Sequence, residues 1–216
     1  MDDGTQGVLL ADASNAFNVI NRKTALVNLR YLCPNLSIFA TNFYRVPTKL
    51  YLSEGQVILS SEGTTQGCNI ASPFYSISIR PLINSLSLTA AKTIFYADDG
   101  AGVGKLVALR SWWDTLCLAG PGLGYFPNAS KSILLVKEPY LATAKTLFSD
   151  TTIQIISDGT RYLGAPLGSE SFRETYVSNM VQEWCNQLEA LAAASETEPQ
   201  AAFAAYCVGL SKKWLF

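Results

Sequence analysis

Thr93-Ile94-Phe95-Tyr96-Ala97-Asp98-Asp99-Gly100-Ala101-Gly102 is the stretch on which the reading of this chain turns. An apolar run rich in β-branched and aromatic residues meets two adjacent acids and then glycines, which predicts a hairpin with the acids at its tip. A strand that ends in carboxylates offers hard oxygen ligands at a turn, the donors that Mg²⁺ prefers. Asp-Asp-Gly is also ordinary turn chemistry, so the tetrapeptide alone leaves both readings open. Working outward, Gly7-Val8-Leu9-Leu10-Ala11 is a second apolar run, and it stops at Asp12. Two strand-end acid sites far apart in sequence can face each other across adjacent strands of one sheet. That arrangement suits two metal ions about 3.5–4 Å apart, clamping the attacking and leaving oxygens of a phosphoryl transfer.

Composition narrows the chemistry. The 216 residues allow one large domain, or one domain with a small appendage, and 49% hydrophobic residues can build a sizeable core. The formal net charge of −1, from 16 basic and 17 acidic residues, counts against tight autonomous binding of nucleic acid. The chain has no histidine, which removes histidine triads, HExxH zinc sites and histidine acid–base catalysis. Cys33, Cys68, Cys117, Cys185 and Cys207 are widely spaced and form no CxxC pair, which argues against a disulfide framework or a structural zinc. A reduced intracellular setting, cytoplasm or nucleus, is therefore expected. Met1-Asp2-Asp3-Gly4 is too acidic and polar for a signal peptide, and no apolar run approaches a membrane span, so no membrane partner is expected.

Periodicity predicts a helix from Arg22 to Cys33, stopped by Pro34, and a second from Leu36 to Tyr44. Lys49–Leu52 and Gln56–Ser60 flank Ser53-Glu54-Gly55 and read as a hairpin. After the loop Gly63-Thr64-Thr65-Gln66-Gly67, Ser72-Pro73 predicts a cap and first turn for a helix running toward Leu88, kinked at Pro81. Ile94 to Val103 is the acidic hairpin. Leu106 to Leu118 reads as an amphipathic helix broken by Gly120-Pro121-Gly122, with Trp112 and Trp113 expected in core or interface. Ser132–Val136 and Ile153–Ile156 read as strands around a helix from Tyr140 to Phe148. A short hairpin over Arg161–Leu167 and helices over Phe172–Ala194 and Gln200–Leu210 follow. Hairpins interspersed among alternating elements predict an α+β fold rather than a doubly wound parallel sheet.

Five blocks in order carry a resemblance. They are Leu9-Leu10-Ala11-Asp12-Ala13-Ser14-Asn15-Ala16-Phe17, Thr65-Gln66-Gly67, Phe95-Tyr96-Ala97-Asp98-Asp99, Gly124-Tyr125-Phe126-Pro127-Asn128-Ala129-Ser130-Lys131 and Tyr162-Leu163-Gly164. Together they resemble the palm of a reverse transcriptase, an RNA-directed DNA polymerase, of the non-LTR retrotransposon type. The resemblance covers roughly residues 7 to 168. It implies a palm over residues 1–168, an antiparallel sheet backed by helices, and a helical extension over 169–216 that would begin a thumb. It further implies that Asp12 and Asp98, with Asp99 beside them, hold two Mg²⁺ ions, with Mn²⁺ able to substitute. The Ala13 carbonyl would be a further hard ligand. Phe17 would exclude a ribose 2′-hydroxyl by clash, and Gln66-Gly67 would lie against the incoming nucleotide. Lys131 would stabilise charge or give a proton at the leaving pyrophosphate, and Tyr162-Leu163-Gly164 would grip the primer. The implied partners are an RNA template, a DNA primer and deoxynucleoside triphosphates.

Taken singly, each feature has a plainer reading: Phe17 as a core aromatic, Gln66-Gly67 as a turn, Lys131 as a solvated surface lysine, and 162–164 as a packing hairpin. The pattern also departs from the family at Asn18, where Asp is frequent, at Cys68-Asn69, and at Ala71-Ser72, where Ser-Pro is frequent. The chain starts just before the Asp12 strand and ends on Trp214-Leu215-Phe216. A palm-centred fragment lacking the basic fingers is therefore expected. The alternative expectation is a non-catalytic retrotransposon remnant that binds nucleic acid or a protein partner.

Overall fold

Glycine at alternate positions of one central strand decides how closely the core packs on the sheet. A computed structural model describes residues 4–65 and 67–213. In the strand Asp99–Gly104, a Cβ at Gly100 would lie 2.9 Å from the Phe95 ring, and one at Gly102 would lie 3.0 Å from Trp112. The bare backbone lets these rings sit directly on the strand. The chain divides into two compact units, residues 1–156 and 157–216.

In the first unit the order is β1 Gly7–Ala11, α1 Ala16–Val19, α2 Arg22–Leu32, α3 Pro34–Tyr44, β2 Thr48–Tyr51 and β3 Val57–Ser60. Then come α4 Ala71–Ser78, α5 Arg80–Leu86, β4 Lys92–Tyr96, β5 Asp99–Gly104, α6 Leu106–Leu123, β6 Ile133–Val136, α7 Leu141–Leu147 and β7 Gln154–Ile156. Five strands form one sheet in the order β4-β5-β1-β6-β7. It is antiparallel except for the β6–β7 pair, which α7 connects as a crossover. β2 and β3 form a separate hairpin. The fold is α+β, as the interspersed hairpins predict.

Two apolar clusters flank the sheet's functional end. One gathers Leu9, Ala11, Leu109, Trp112, Leu116 and Tyr125 around α5, α6 and α7. The other gathers Ile20, Leu29, Tyr44, Phe74, Tyr75 and Ile79 from α1 to α4 and the residues beside them. Trp112 and Trp113 are buried, in line with their expected core placement, and the Trp112 indole N–H donates to Thr93 Oγ1 at 3.0 Å. Burying side chains of this size is the main favourable term holding such a fold together.

Several boundaries differ from expectation, and the one kinked helix expected to run toward Leu88 is two, α4 and α5, parted at Ile79 ahead of Pro81. Pro34 opens α3 as well as ending α2, because a proline at the first helical position loses no hydrogen bond. α4 begins at Ala71 with Ile70 as its cap residue, so Ser72 lies inside the first turn and caps nothing. The preceding turns, Cys68 N–H to Thr65 O and Ala71 N–H to Cys68 O, supply the entry instead. α6 runs through Gly120-Pro121-Gly122 to Leu123. Pro121 sits in the last turn, where one missing donor is tolerated, and the helix closes at Gly124, φ +82°.

The second unit holds the hairpin β8 Gly159–Tyr162 and β9 Ala165–Gly168, the long α8 Glu170–Ser195, α9 Pro199–Ala205, a π turn over Tyr206–Leu210, and α10 Ser211–Lys213. Leu163 and Gly164, φ +47° and +87°, form the two-residue turn that suits a twisted hairpin. The Ser169 hydroxyl accepts from Phe172 N–H at 3.2 Å and caps α8. Phe172 stacks on Tyr176 and lies against Gly159. Lys213 Nζ donates to Gln187 Oε1 at 3.1 Å.

Candidate functional site

The register of the central strands brings the strand-end acids together. β1 and β5 pair antiparallel, with Ala11 opposite Gly100, so the next step along each strand puts Asp12 beside Asp99. β4 and β5 pair through Tyr96 and Asp99, which leaves Ala97 and Asp98 as the two-residue turn. Ala97 has φ +54°, a left-handed conformation that costs an alanine energy. All three carboxylates are half-buried. Burial first, and then the negative charges of Asp98 and Asp12, push the Asp99 carboxyl above its ordinary range. This end of the sheet thus carries mutual repulsion that a cation would relieve.

The donor chemistry fits a hard divalent cation. Among the described residues, no group of three or more His, Cys, Asp or Glu side chains is placed to hold a metal. Mg²⁺ does not need such a cage, because it binds through one or two carboxylates and completes its shell with water and substrate phosphates.

Asp12 is fixed through its backbone. Its N–H donates to Ser132 Oγ at 3.1 Å, and its carbonyl accepts from Asn128 N–H at 2.8 Å. The buried Ser132 hydroxyl donates to Asn128 O at 2.7 Å. Ala13 bridges Pro127, and Ser14 N–H donates to Phe126 O. The Gly124–Lys131 block is therefore stitched to the Asp12 segment. Lys131 ends that turn with an exposed side chain. On the other side, the Tyr125 hydroxyl donates to the Asp98 carbonyl at 3.0 Å, and Tyr125 meets Phe95 edge-on.

Phe17 lies half-buried on α1, and its ring stacks on Tyr75 at 4.2 Å with an 18° interplanar angle. The loop before Gly67 is bonded to the Phe17 segment: Thr64 N–H donates to Phe17 O at 2.7 Å, and Gly63 N–H to Ile20 O at 3.0 Å. Gly63 has φ +69°, and a Cβ there would lie 2.2 Å from the Asn18 backbone, so no larger residue fits without moving one of the two segments. Arg22, only 3% exposed, holds the same loop. Its Nε donates to Gly63 O, Nη1 to Ser60 O and Nη2 to Glu62 O at 3.0, 2.8 and 2.9 Å, while its plane lies over Tyr44. A cavity of about 560 Å³ opens beside this loop, walled by Asn15, Asn18, Ser60, Glu62, Thr64 and Thr65. Gly67 is exposed with φ +79°. Gln66 lies outside the described residues.

Asp12, Ala13, Asp98 and Asp99 thus gather at one end of the sheet. Leu163 and Gly164 form the β8–β9 turn of the second unit, with Tyr162 ending β8 and Leu163 half exposed. Sequence reading gave no individual site role to Arg22, Gly63, Tyr75, Tyr125 or Ser132. The signal available for Arg22 was a charged residue opening an amphipathic helix just after the cap Asn21. Nothing local marks Ser132 or Tyr75, whose partners are remote in sequence.

No protein-family model matches the chain, and no curated protein sequence does. Solved structures do. Apo telomerase from Candida tropicalis truncated from its C-terminal domain superposes with TM-score 0.56 at 12% identity, over 76% of this chain and 34% of that one. Apo telomerase from Candida tropicalis gives 0.58 at 11%, over 76% and 31%. Telomerase from Candida albicans in complex with a TWJ fragment of telomeric RNA gives 0.55 at 11%, over 76% and 29%. The likeness is one of fold: this α+β chain is built like part of a telomerase polymerase. It spans about a third of the length of those solved chains.

Proposed function

We propose that this chain is the palm of a reverse transcriptase of the non-LTR retrotransposon type, joining deoxynucleotides to a primer 3′-end on an RNA template. The observation that carries the reading is the convergence of Asp12 with the Asp98–Asp99 turn across adjacent strands. Telomerase is itself a reverse-transcriptase-related polymerase, which supports the class. Asp12 and Asp98, with Asp99 adjacent, would hold Mg²⁺. When bound, two such ions neutralise the charge that builds on the transferring phosphate. The Ala13 carbonyl is a further oxygen donor. Lys131 offers a positive charge to the leaving pyrophosphate from the turn anchored on Asp12. Phe17, backed by Tyr75, meets the sugar of the incoming nucleotide, and the loop at Gly67 lies against it. The neighbouring cavity is of a size common for small-molecule sites. Tyr162-Leu163-Gly164 contacts the primer strand.

The gate role of Phe17 has a direct test in the whole polypeptide that carries this palm. With poly(rA)/oligo(dT), Phe17→Ala should raise UTP incorporation relative to dTTP by roughly 10- to 200-fold, the range that one steric contact commands. Unchanged selectivity would remove Phe17 from the site. A second reading, a folded palm that binds nucleic acid or a partner without catalysis, is favoured by the departures from the family pattern at Asn18, Cys68-Asn69 and Ala71-Ser72. Primer extension by the 216-residue chain alone separates the two, since robust synthesis excludes the second.

A further inference from the structure

The Tyr75 side chain is fully buried, and its hydroxyl has no hydrogen-bond partner among the described residues. A buried hydroxyl without a partner loses its bonds to water and gains nothing in return, a cost that phenylalanine would not carry. Buried groups of this kind call for a specific explanation. The ring has one already, since it stacks on Phe17, but phenylalanine would stack equally well. What distinguishes tyrosine is the oxygen, and the cluster that holds Tyr75 packs against Ala13, next to Asp12, and against Phe95, on the strand that leads into the Asp98–Asp99 turn. The Tyr125 hydroxyl is engaged on the Asp98 carbonyl. Tyr75 therefore brings an uncommitted donor and acceptor into the packing behind the acid segments.

The geometry points to Tyr75 as a positioning residue whose hydroxyl finds its partner in the hydration shell of a divalent cation held at the acid turn. This rests on the reading of Asp12 and Asp98 as cation ligands. Mg²⁺ and Mn²⁺ keep several waters when few carboxylates bind them, and each such water needs an acceptor or donor beyond the metal. Because its ring also touches Phe17, Tyr75 links occupancy of the acid turn to the wall that faces the sugar. Nothing in the chain's periodicity marks it, because Tyr75 and its neighbour Phe74 occupy successive core positions of α4.

The test uses the 216-residue chain, Mn²⁺ as probe, and three proteins: unaltered, Tyr75→Phe and Asp98→Asn. Free Mn²⁺ is followed by its electron paramagnetic resonance signal, and thermal unfolding is recorded without metal. Tyr75→Phe should bind Mn²⁺ about tenfold more weakly, the usual size of an effect outside the ligands themselves. Its metal-free Tm should exceed that of the unaltered chain, because the unpaired hydroxyl is gone. Equal Mn²⁺ affinity in Tyr75→Phe and the unaltered chain, with Asp98→Asn weaker, overturns the Tyr75 assignment and leaves the cation site standing. Equal affinity in all three proteins overturns the cation site, and the assignment with it. A lower metal-free Tm in Tyr75→Phe shows that the hydroxyl was already satisfied and also overturns the assignment.

Discussion

Asp98→Asn is expected to stop primer extension in the polypeptide that carries this palm, with a loss of about three orders of magnitude or more. The substitution keeps size and turn geometry but removes the negative charge that a cation would need at the β4–β5 turn. Asp98 lies in the two-residue loop, where its side chain supports no core packing, and Tyr125 holds the turn through the Asp98 backbone carbonyl. The fold should therefore survive. Stability should stay level or rise slightly, because Asp99 loses a like charge that now disfavours its ionised form. An assay with poly(rA)/oligo(dT), dTTP and Mg²⁺, run beside a urea titration, reads both effects. Full activity in the variant would end the polymerase reading. Lost activity with an equally lowered urea midpoint would mean that the turn had collapsed, and would say nothing for cation binding.

Arg22→Ala should strongly damage the folded state, costing about 2–5 kcal/mol. Its guanidinium satisfies the carbonyls of Ser60, Glu62 and Gly63 inside the protein, with the Tyr44 ring beneath it. Truncation takes the guanidinium donor from the buried Gly63 carbonyl and the half-buried Ser60 carbonyl, while Glu62 O keeps Ser60 Oγ at 3.4 Å, and each buried group left unpaired costs about 1–3 kcal/mol. Arg22→Lys should recover only part of the loss, since an ammonium cannot span three carbonyls in one plane. The urea midpoint should fall with the m-value unchanged. Amide exchange at Gly63 and Thr64, which tie the loop to Ile20 and Phe17, should speed up most. A cost below about 1 kcal/mol would show that the loop holds itself. The same variant should weaken sugar selection, because the loop carrying Gly67 is fastened to the Phe17 segment through these contacts.

Most elements could be read along the chain because their signals are local. The apolar run before Asp12, the hairpin around Asp98, the α2 periodicity and the βαβ passage through α7 each declare themselves within a dozen or so residues. Errors arose where a local cue met a tertiary one. Gly120-Pro121-Gly122 looks like a helix end, yet the helix persists because Gly120 packs against Tyr125 and the closing residue comes only at Gly124. Ser72-Pro73 looks like a cap, yet the turns after Thr65 start α4 one residue before Ser72.

For the site, residue order and chemistry were enough to nominate Asp12, Asp98 and Asp99 as hard ligands at strand ends, whereas Phe17 and Lys131 were nominated by the resemblance of their blocks to a reverse-transcriptase palm. That Asp12 neighbours Asp99 follows from strand pairing, which depends on register between segments some ninety positions apart and leaves no trace in either segment. The same holds for Arg22 on Ser60, Ser132 on Asp12, and Tyr75 under Phe17. Each is a contact between distant segments that exists only once the core has closed, because a side chain gains a partner from packing and not from its neighbours in the chain.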